Sequence, residues 1–290
     1  MIPFTEGHSI RYTKGHGAKN DFVIIEDADA GFDPDAAWVA AVCDRRGGIG
    51  ADGLLRVVPT RAVAAWAADA ARAEWFMDYR NADGSIAQMC GNGVRVFARY
   101  LVEQGLAKPG RFGVATRGGV KSVLVPEDGG DITVGMGRAV WPESSAEVLV
   151  DGQWLPSVNV DMGNPHAVVF VADVAQAGPL TQRPELRPAA VYPEGVNIEF
   201  VAANGPQRID MRVFERGVGE TQACGTGACA AMVAAARRDG AEPGTVYEVR
   251  LPGGVLSIVE YEDGEIEMTG PAVLVARGEL LEGFPGEVSR

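Results

Sequence analysis

One structural element occurs twice in this sequence. Cys90-Gly91-Asn92-Gly93 and Cys224-Gly225-Thr226-Gly227 lie 134 residues apart, and each opens a stretch with helical periodicity. At that offset Met77 also falls on Met211 and Gln88 on Gln222. Upstream, Asn20 followed by residues 22–25 matches Asn164 followed by residues 167–170 at a slightly larger offset. Each half therefore runs in one order: asparagine turn, strand, further strands, cysteine loop, helix. Chance similarity between two glycine-rich loops would not repeat that order. The period is far too long for a solenoid, so the chain is constrained to fold as two related halves.

Both helices can be read locally. After Gly93, the residues Val94, Phe97, Ala98 and Leu101 keep an i, i+3, i+4, i+7 spacing, and Gly105 can end the run. After Gly227, the residues Cys229, Met232, Val233 and Ala236 repeat it, with Arg237 and Arg238 at the negative helix end and Gly240 beyond. The second helix is nearly all small residues on its other faces, which predicts enclosure by sheet. Short β-rich runs at 22–25, 54–58, 74–79, 122–125, 132–136, 168–171, 198–201, 209–214 and 256–261 are separated by Gly, Pro and Asp turns. Residues 34–43 read as a helix capped by Asp33, with Pro34 at its first position. The Ala-rich run 63–73 fits either a helix or a solvated loop. The expected fold is mixed α/β (α+β). It has two pseudo-symmetric halves, each a mostly antiparallel, barrel-like sheet around one central helix. The first half spans 1–134 plus 271–290 and carries Cys90; the second spans 135–270 and carries Cys224. A site at the junction of two such halves is the default expectation.

A glycine-rich turn into a helix offers backbone N–H groups and the positive end of the helix dipole. That field lowers the pKa of a nearby thiol from its usual value of about 8.5. Two such thiols in matching surroundings point to paired acid–base groups acting on opposite faces of one carbon. A small amino acid placed between Cys90 and Cys224 would rest its carboxylate on the N–H groups of Gly91, Asn92, Gly225 and Thr226. One thiolate would remove the α-proton and the opposite thiol would return one, inverting the centre without a cofactor. Two anions so close repel, so the expected resting state is one thiolate and one thiol titrating as a pair. Cys43 and Cys229 read as packing residues. His166 follows a Gly-Asn-Pro turn and is either a strand-edge residue or a group that tunes a thiol. Glu215-Arg216-Gly217 leads toward Cys224. Arg216 can hold a carboxylate by bidentate contact, and Glu215 can accept from an ammonium or act on a thiol; the alternative for the two is a surface ion pair.

The chain has 290 residues, 47% of them apolar, enough for one large core or two modest ones. A formal charge of −13 argues against nucleic acid and anionic membrane as partners. No apolar run approaches the roughly 18–20 residues of a membrane span, and residues 1–10 lack signal-peptide order. Four dispersed cysteines and three dispersed histidines form neither a disulfide framework nor a zinc site. The expectation is a cytoplasmic protein with free thiols, no metal and no cofactor, acting on a small zwitterion.

Several segments together resemble one enzyme family. They are Asn20-Asp21-Phe22-Val23, Gly48-Ile49-Gly50-Ala51-Asp52-Gly53, Asn81-Ala82-Asp83-Gly84-Ser85, Met89-Cys90-Gly91-Asn92-Gly93, Gly163-Asn164-Pro165-His166-Ala167, and Glu215-Arg216-Gly217-Val218-Gly219-Glu220-Thr221 leading to Cys224-Gly225-Thr226-Gly227. In this order, along residues 14–270, they are similar to diaminopimelate epimerase. The resemblance implies cofactor-independent interconversion of LL- and meso-diaminopimelate for lysine and peptidoglycan precursor synthesis, by a cytoplasmic homodimer whose two domains close on substrate. By matching position it implies Cys90 as proton donor and Cys224 as proton acceptor, exchanging with reaction direction. It implies His166 and Glu215 as thiol-tuning groups. It also implies substrate contacts from Asn20, Asn81, Gly91, Asn92, Asn164, Asn197, Glu215, Arg216, Gly225 and Thr226. Lys19 stands where the family usually has glycine, Gly53 offers no polar side chain, and run 63–73 reads as a variable loop. The rival readings are a proline-racemase-like enzyme, which typically carries His where Asn92 stands, and a thiol–disulfide redox protein using Cys90 and Cys224 as a switch.

Overall fold

The computed structural model describes residues 9–281 and 283–285; most of the stretch 1–10 read for targeting character lies outside them. The chain divides into two compact units. One runs to Ile132 and resumes at Pro271; the other is Thr133–Gly270.

In the first unit, β1 (Ile10–Gly17) and β2 (Asn20–Glu26) form an antiparallel hairpin. A crossover through helix α1 (Ala36–Cys43) brings β3 (Gly53–Pro59) parallel to β2, because parallel neighbours need a long connection. Next, β4 (Trp75–Asn81) pairs antiparallel with β3. Helix α2 (Gly91–Glu103) then leads to β5 (Gly110–Thr116), parallel to β4, and β6 (Gly119–Val125), antiparallel to β5. The C-terminal strand Val273–Leu280 returns to the free edge of β1. Helix α2 touches β1, β2, β3, β4, β6 and that C-terminal strand, so the sheet curves around it from both ends of its pairing order. Val94, Val96, Phe97, Ala98 and Leu101 are all buried there, each larger side chain contributing about 1.5–3 kcal/mol.

The second unit begins with β7 (Ile132–Arg138), β8 (Glu147–Val150) and β9 (Gln153–Asp161). From β9 the first unit's order repeats. An antiparallel hairpin joins β9 to β10 (Pro165–Phe170). After the short β11 (Leu186–Arg187), β12 (Asn197–Ala203) lies parallel to β10, and β13 (Arg208–Glu215) lies antiparallel to β12. The short β14 (Gly219–Glu220) precedes helix α3 (Gly225–Asp239). Then β15 (Val246–Leu251) pairs parallel with β13, and β16 (Gly254–Glu260) antiparallel with β15. Strand β17 (Glu265–Gly270) joins β16 to β7. Helix α3 is enclosed by strands, and Ala228 to Ala235 are all buried.

The two units match in register as well as in order. Phe22 opens the five-residue parallel pairing with Gly53, as His166 does with Asn197. Phe22 thus corresponds to His166, and residues 22–25 correspond to 166–169, one residue earlier than the sequence match placed them. A slip of one reverses which face a side chain takes, so the correction matters at the site.

One further detail differs from the sequence reading, and one that it left open is decided. Asp35, rather than Asp33, caps α1 by accepting from the Trp38 N–H at 2.8 Å. Asp33 instead accepts from Arg80 at 2.9 Å. The Ala-rich run is a 3-10 helix at Ala64–Ala71 with no buried side chain.

Candidate active site

In the first unit Cys90 is the N-cap of α2, in extended backbone at φ −140° and ψ 118°, with Sγ accepting from the Gly93 N–H at 3.4 Å. Its S–H donates to Asn20 Oδ1, also at 3.4 Å. Asn20 is held from both sides. Its amide nitrogen donates to Asp52 Oδ2 at 2.8 Å, and its oxygen receives the Asn92 side-chain amide at 3.2 Å. Asn92 is in turn fixed by the fully buried Arg95, whose Nη2 donates to Asn92 Oδ1 at 2.8 Å. Arg45 bridges Asp52 and Asp21. Burial opposes ionisation of Asp21, yet Arg45 and Lys14 outweigh it and hold its carboxyl down at about 2. Asn81 closes β4 and donates to Ser85 Oγ at 2.9 Å.

In the second unit Cys224 is the N-cap of α3, with Sγ accepting from the Gly227 N–H at 3.4 Å and 3.5 Å from Thr226 Oγ1. Two neighbouring carboxylates belong to Glu215, at the end of β13, and Glu199, in mid β12. Thr221 donates its hydroxyl to Glu215. Asn197 accepts the Arg216 backbone N–H at 2.9 Å and donates to the Pro165 carbonyl at 3.3 Å. The exposed Arg216 side chain donates to the Glu194 carbonyl at 3.1 Å. His166 is fully buried; Nδ1 is 2.7 Å from Glu199 Oε1 and Nε2 is 3.1 Å from Asn164 Oδ1.

At Cys224 the electrostatics run against a thiol lowered by the helix start. Burial pushes Cys224 well above its ordinary value, and Glu215 and Glu199 push the same way. The Thr226 hydroxyl and Gly227 N–H pull it back by less. Expectation of a thiol lowered by the helix start is corrected here: desolvation of a buried anion outweighs the dipole. Cys43 is buried and pushed up to about 11 by desolvation, and Cys229 is fully buried inside α3.

At both helix starts the first backbone N–H groups have no carbonyl one turn behind them and lie at the positive dipole end. Gly91, Asn92, Gly225 and Thr226 occupy those first positions, an arrangement suited to a carboxylate. Among the described residues no group of three or more His, Cys, Asp or Glu is placed to hold a metal ion, and no helix is long and apolar enough to cross a membrane.

The sequence profile of the diaminopimelate epimerase family matches residues 12–142 and 158–275. The chain belongs to the diaminopimelate epimerase family. It is 58% identical over 283 residues to the diaminopimelate epimerase of Streptomyces coelicolor, covering 94% of this chain and 98% of that protein. The Thermobifida fusca diaminopimelate epimerase is 48% identical, with 93% and 98% covered. Among solved structures, a phenazine biosynthesis protein of the PhzF family from Bacillus anthracis superposes with a TM-score of 0.68 at 17% identity, covering 94% of this chain and 99% of that one. A hydroxyproline epimerase from Agrobacterium vitis gives 0.67 at 16%, covering 95% and 93%. At such identities these two establish the shared fold. Family membership favours the epimerase reading over the racemase-like and redox readings.

For a diaminopimelate epimerase the sequence reading left out two buried charges. Glu199 and Arg95 are both fully buried and each bonds to a side chain leading toward an asparagine of the candidate site. Glu199 leaves a readable trace: a lone acid inside the strand run at 198–201. Arg95 leaves none, because an arginine on a helix usually faces solvent.

Proposed function

We propose that this member of the diaminopimelate epimerase family interconverts LL- and meso-diaminopimelate with Cys90 and Cys224 as the two bases and no cofactor. The matched pair of cysteine N-caps carries the reading. Each sulfur is held by the N–H three residues on, at the start of a buried helix, in two units of one topology. One cysteine, as thiolate, takes the α-proton; the other, as thiol, protonates the opposite face. Charge building on the carboxylate oxygens is met by the N–H groups of Gly91, Asn92, Gly225 and Thr226, and removal of one such donor typically costs about 100- to 1000-fold. Asn20, Asn81, Asn164, Asn197, Glu215 and Arg216 bind the rest of the substrate, and His166 and Glu215 tune the thiols. A cytoplasmic homodimer belongs to the same reading.

Proton NMR of LL-diaminopimelate in heavy water with reduced protein tests it. Loss of the α-proton signal with growth of the meso isomer is expected, abolished by Cys90→Ala and by Cys224→Ala. Exchange of proline or hydroxyproline in place of diaminopimelate would overturn the substrate assignment.

A further inference from the structure

Beneath the first turn of α3 lies a buried imidazole–carboxyl pair, of which the two-thiol scheme uses His166 and gives Glu199 no part. His166 on β10 and Glu199 on β12 are both 0% exposed. Glu199 Oε1 lies 2.7 Å from His166 Nδ1, while Oε2 has no hydrogen-bond partner among the described residues. A buried carboxylate oxygen without a partner is expensive, and an apolar pair of similar volume would often be no less stable. Stability alone therefore does not account for this residue.

The ring's other side supplies the account. His166 Nε2 faces Asn164 Oδ1 at 3.1 Å. An imidazole flanked by a carboxylate oxygen and an amide oxygen satisfies both only when both ring nitrogens carry protons. Without a counter-charge such a ring would keep one proton in this dry site, and with that proton on Nδ1, toward position 199, Nε2 would become an acceptor. Asn164 would then turn its NH₂ inward and present its oxygen outward.

We infer that Glu199 is a positioning residue. Its carboxylate keeps His166 doubly protonated, and the ring in turn holds Asn164 with its oxygen inward and its amide N–H donors outward. Asn164 is half-buried, and on the reading above, on which this inference rests, its outward donors meet a substrate carboxylate. The groups facing this site are His166 on β10, Glu199 on β12, Glu215 on β13, Cys224 at the start of α3 and Tyr192 ahead of β12. Removal of the Glu199 charge therefore reverses a donor at the substrate, and it also lifts one of the two charges that push Cys224 up.

The test is nitrogen NMR of the substrate-free full chain labelled with ¹⁵N-histidine, with the His166→Phe variant assigning the signal among three histidines. At about pH 8, well above the ordinary imidazole value of about 6.5, wild type should show protons on both His166 nitrogens. Glu199→Gln should show a neutral ring. In the α-proton assay Glu199→Gln should raise KM by about 10-fold or more, the cost of a donor misplaced at a charged group, with a smaller change in kcat. A neutral His166 ring in the wild type overturns the inference even if the variant does not fold. A doubly protonated ring in Glu199→Gln, or an unchanged KM, also overturns it. The NMR result requires no turnover, so failure of the epimerase reading would appear separately, as wild-type protein inactive on diaminopimelate.

Discussion

The starts of α2 and α3 share one backbone frame and are furnished in opposite ways. Under Gly93, beside Cys90, lie Leu55 and Phe22; a side chain at 93 would meet the Leu55 Cδ2 and Cys90 Cβ atoms at 3.4 Å. Under Gly227, beside Cys224, the equivalent strand positions hold Glu199 and His166, and a Cβ there would meet Glu199 Oε1 at 2.7 Å. A third matched position differs as well. Asn197 opens β12, whereas Gly53 opens β3 with the Arg80 carbonyl 2.6 Å from where its Cβ would stand. Duplication thus preserved what holds each sulfur on a helix N-terminus, while the layer behind it diverged. One thiol sits over an apolar floor, with its asparagine anchored by Asp52 and Arg95. The other sits over a buried acid–imidazole pair that anchors the equivalent asparagine.

The largest expected effect tests what the halves share. Cys90→Ala and Cys224→Ala should each lower turnover by at least about 1000-fold, in the upper part of the range for loss of an acid–base group. Unequal losses, one large and one slight, would break the symmetry of roles. Next comes conversion of the second half into the first. The double variant His166→Phe/Glu199→Leu should fold with a melting temperature equal to or above wild type, because a buried pair is replaced by apolar volume. It should lose about 100-fold or more in kcat/KM. Retained activity would show that the charged floor is dispensable.

The glycines sharpen the same contrast. Gly227→Ala should cost about 1–3 kcal/mol of stability by overpacking against a fixed carboxylate, and Gly93→Ala less than about 1 kcal/mol. Equal losses in denaturant melts would contradict the geometry. Glu215→Gln removes a negative charge that favours the neutral Cys224 thiol. The thiolate then forms at lower pH, so in a Cys90→Ser background the alkylation–pH curve of Cys224 should move to lower pH. A shift to higher pH would give the interaction the wrong sign. The smallest effect concerns the turn before each anchored asparagine. Lys19 adopts φ 61° where its counterpart Gly163 has φ 90°. A left-handed side chain costs about 1 kcal/mol, so Lys19→Gly should stabilise the chain by up to that amount, measured as a shift in denaturant midpoint.

The duplicated frame was legible because it rests on local signals. Glycine after each cysteine, helical spacing after each glycine pair, and Gly240 past the second helix mark α2 and α3 closely. The β-rich runs foretell the central strands, where apolar residues crowd. They leave out β1, β5, β8, β9, β15, β17 and the C-terminal strand, whose burial alternates or is partial, and the two-residue β11 and β14. Asp35 displaced Asp33 as a cap because tertiary pairing with Arg80 claimed the earlier acid. At the site, the cysteines, asparagines and His166 stand in recognisable motifs. Glu199 and Arg95 do not, since their roles arise from partners 33 and 3 residues away that only the folded chain orients. The raised thiol of Cys224 was likewise beyond local reading: dipole effects follow from the adjacent helix, but desolvation follows from everything packed around it.

The central claim, two thiols acting on opposite faces of one carbon, is tested most directly by isotope uptake at low conversion in heavy water. If one thiol abstracts and the other delivers, the first meso-diaminopimelate formed carries solvent deuterium while the remaining LL-isomer keeps its proton. Deuterium entering the recovered LL-isomer as fast as the meso product forms would mean that a single group works both faces, and would contradict the account.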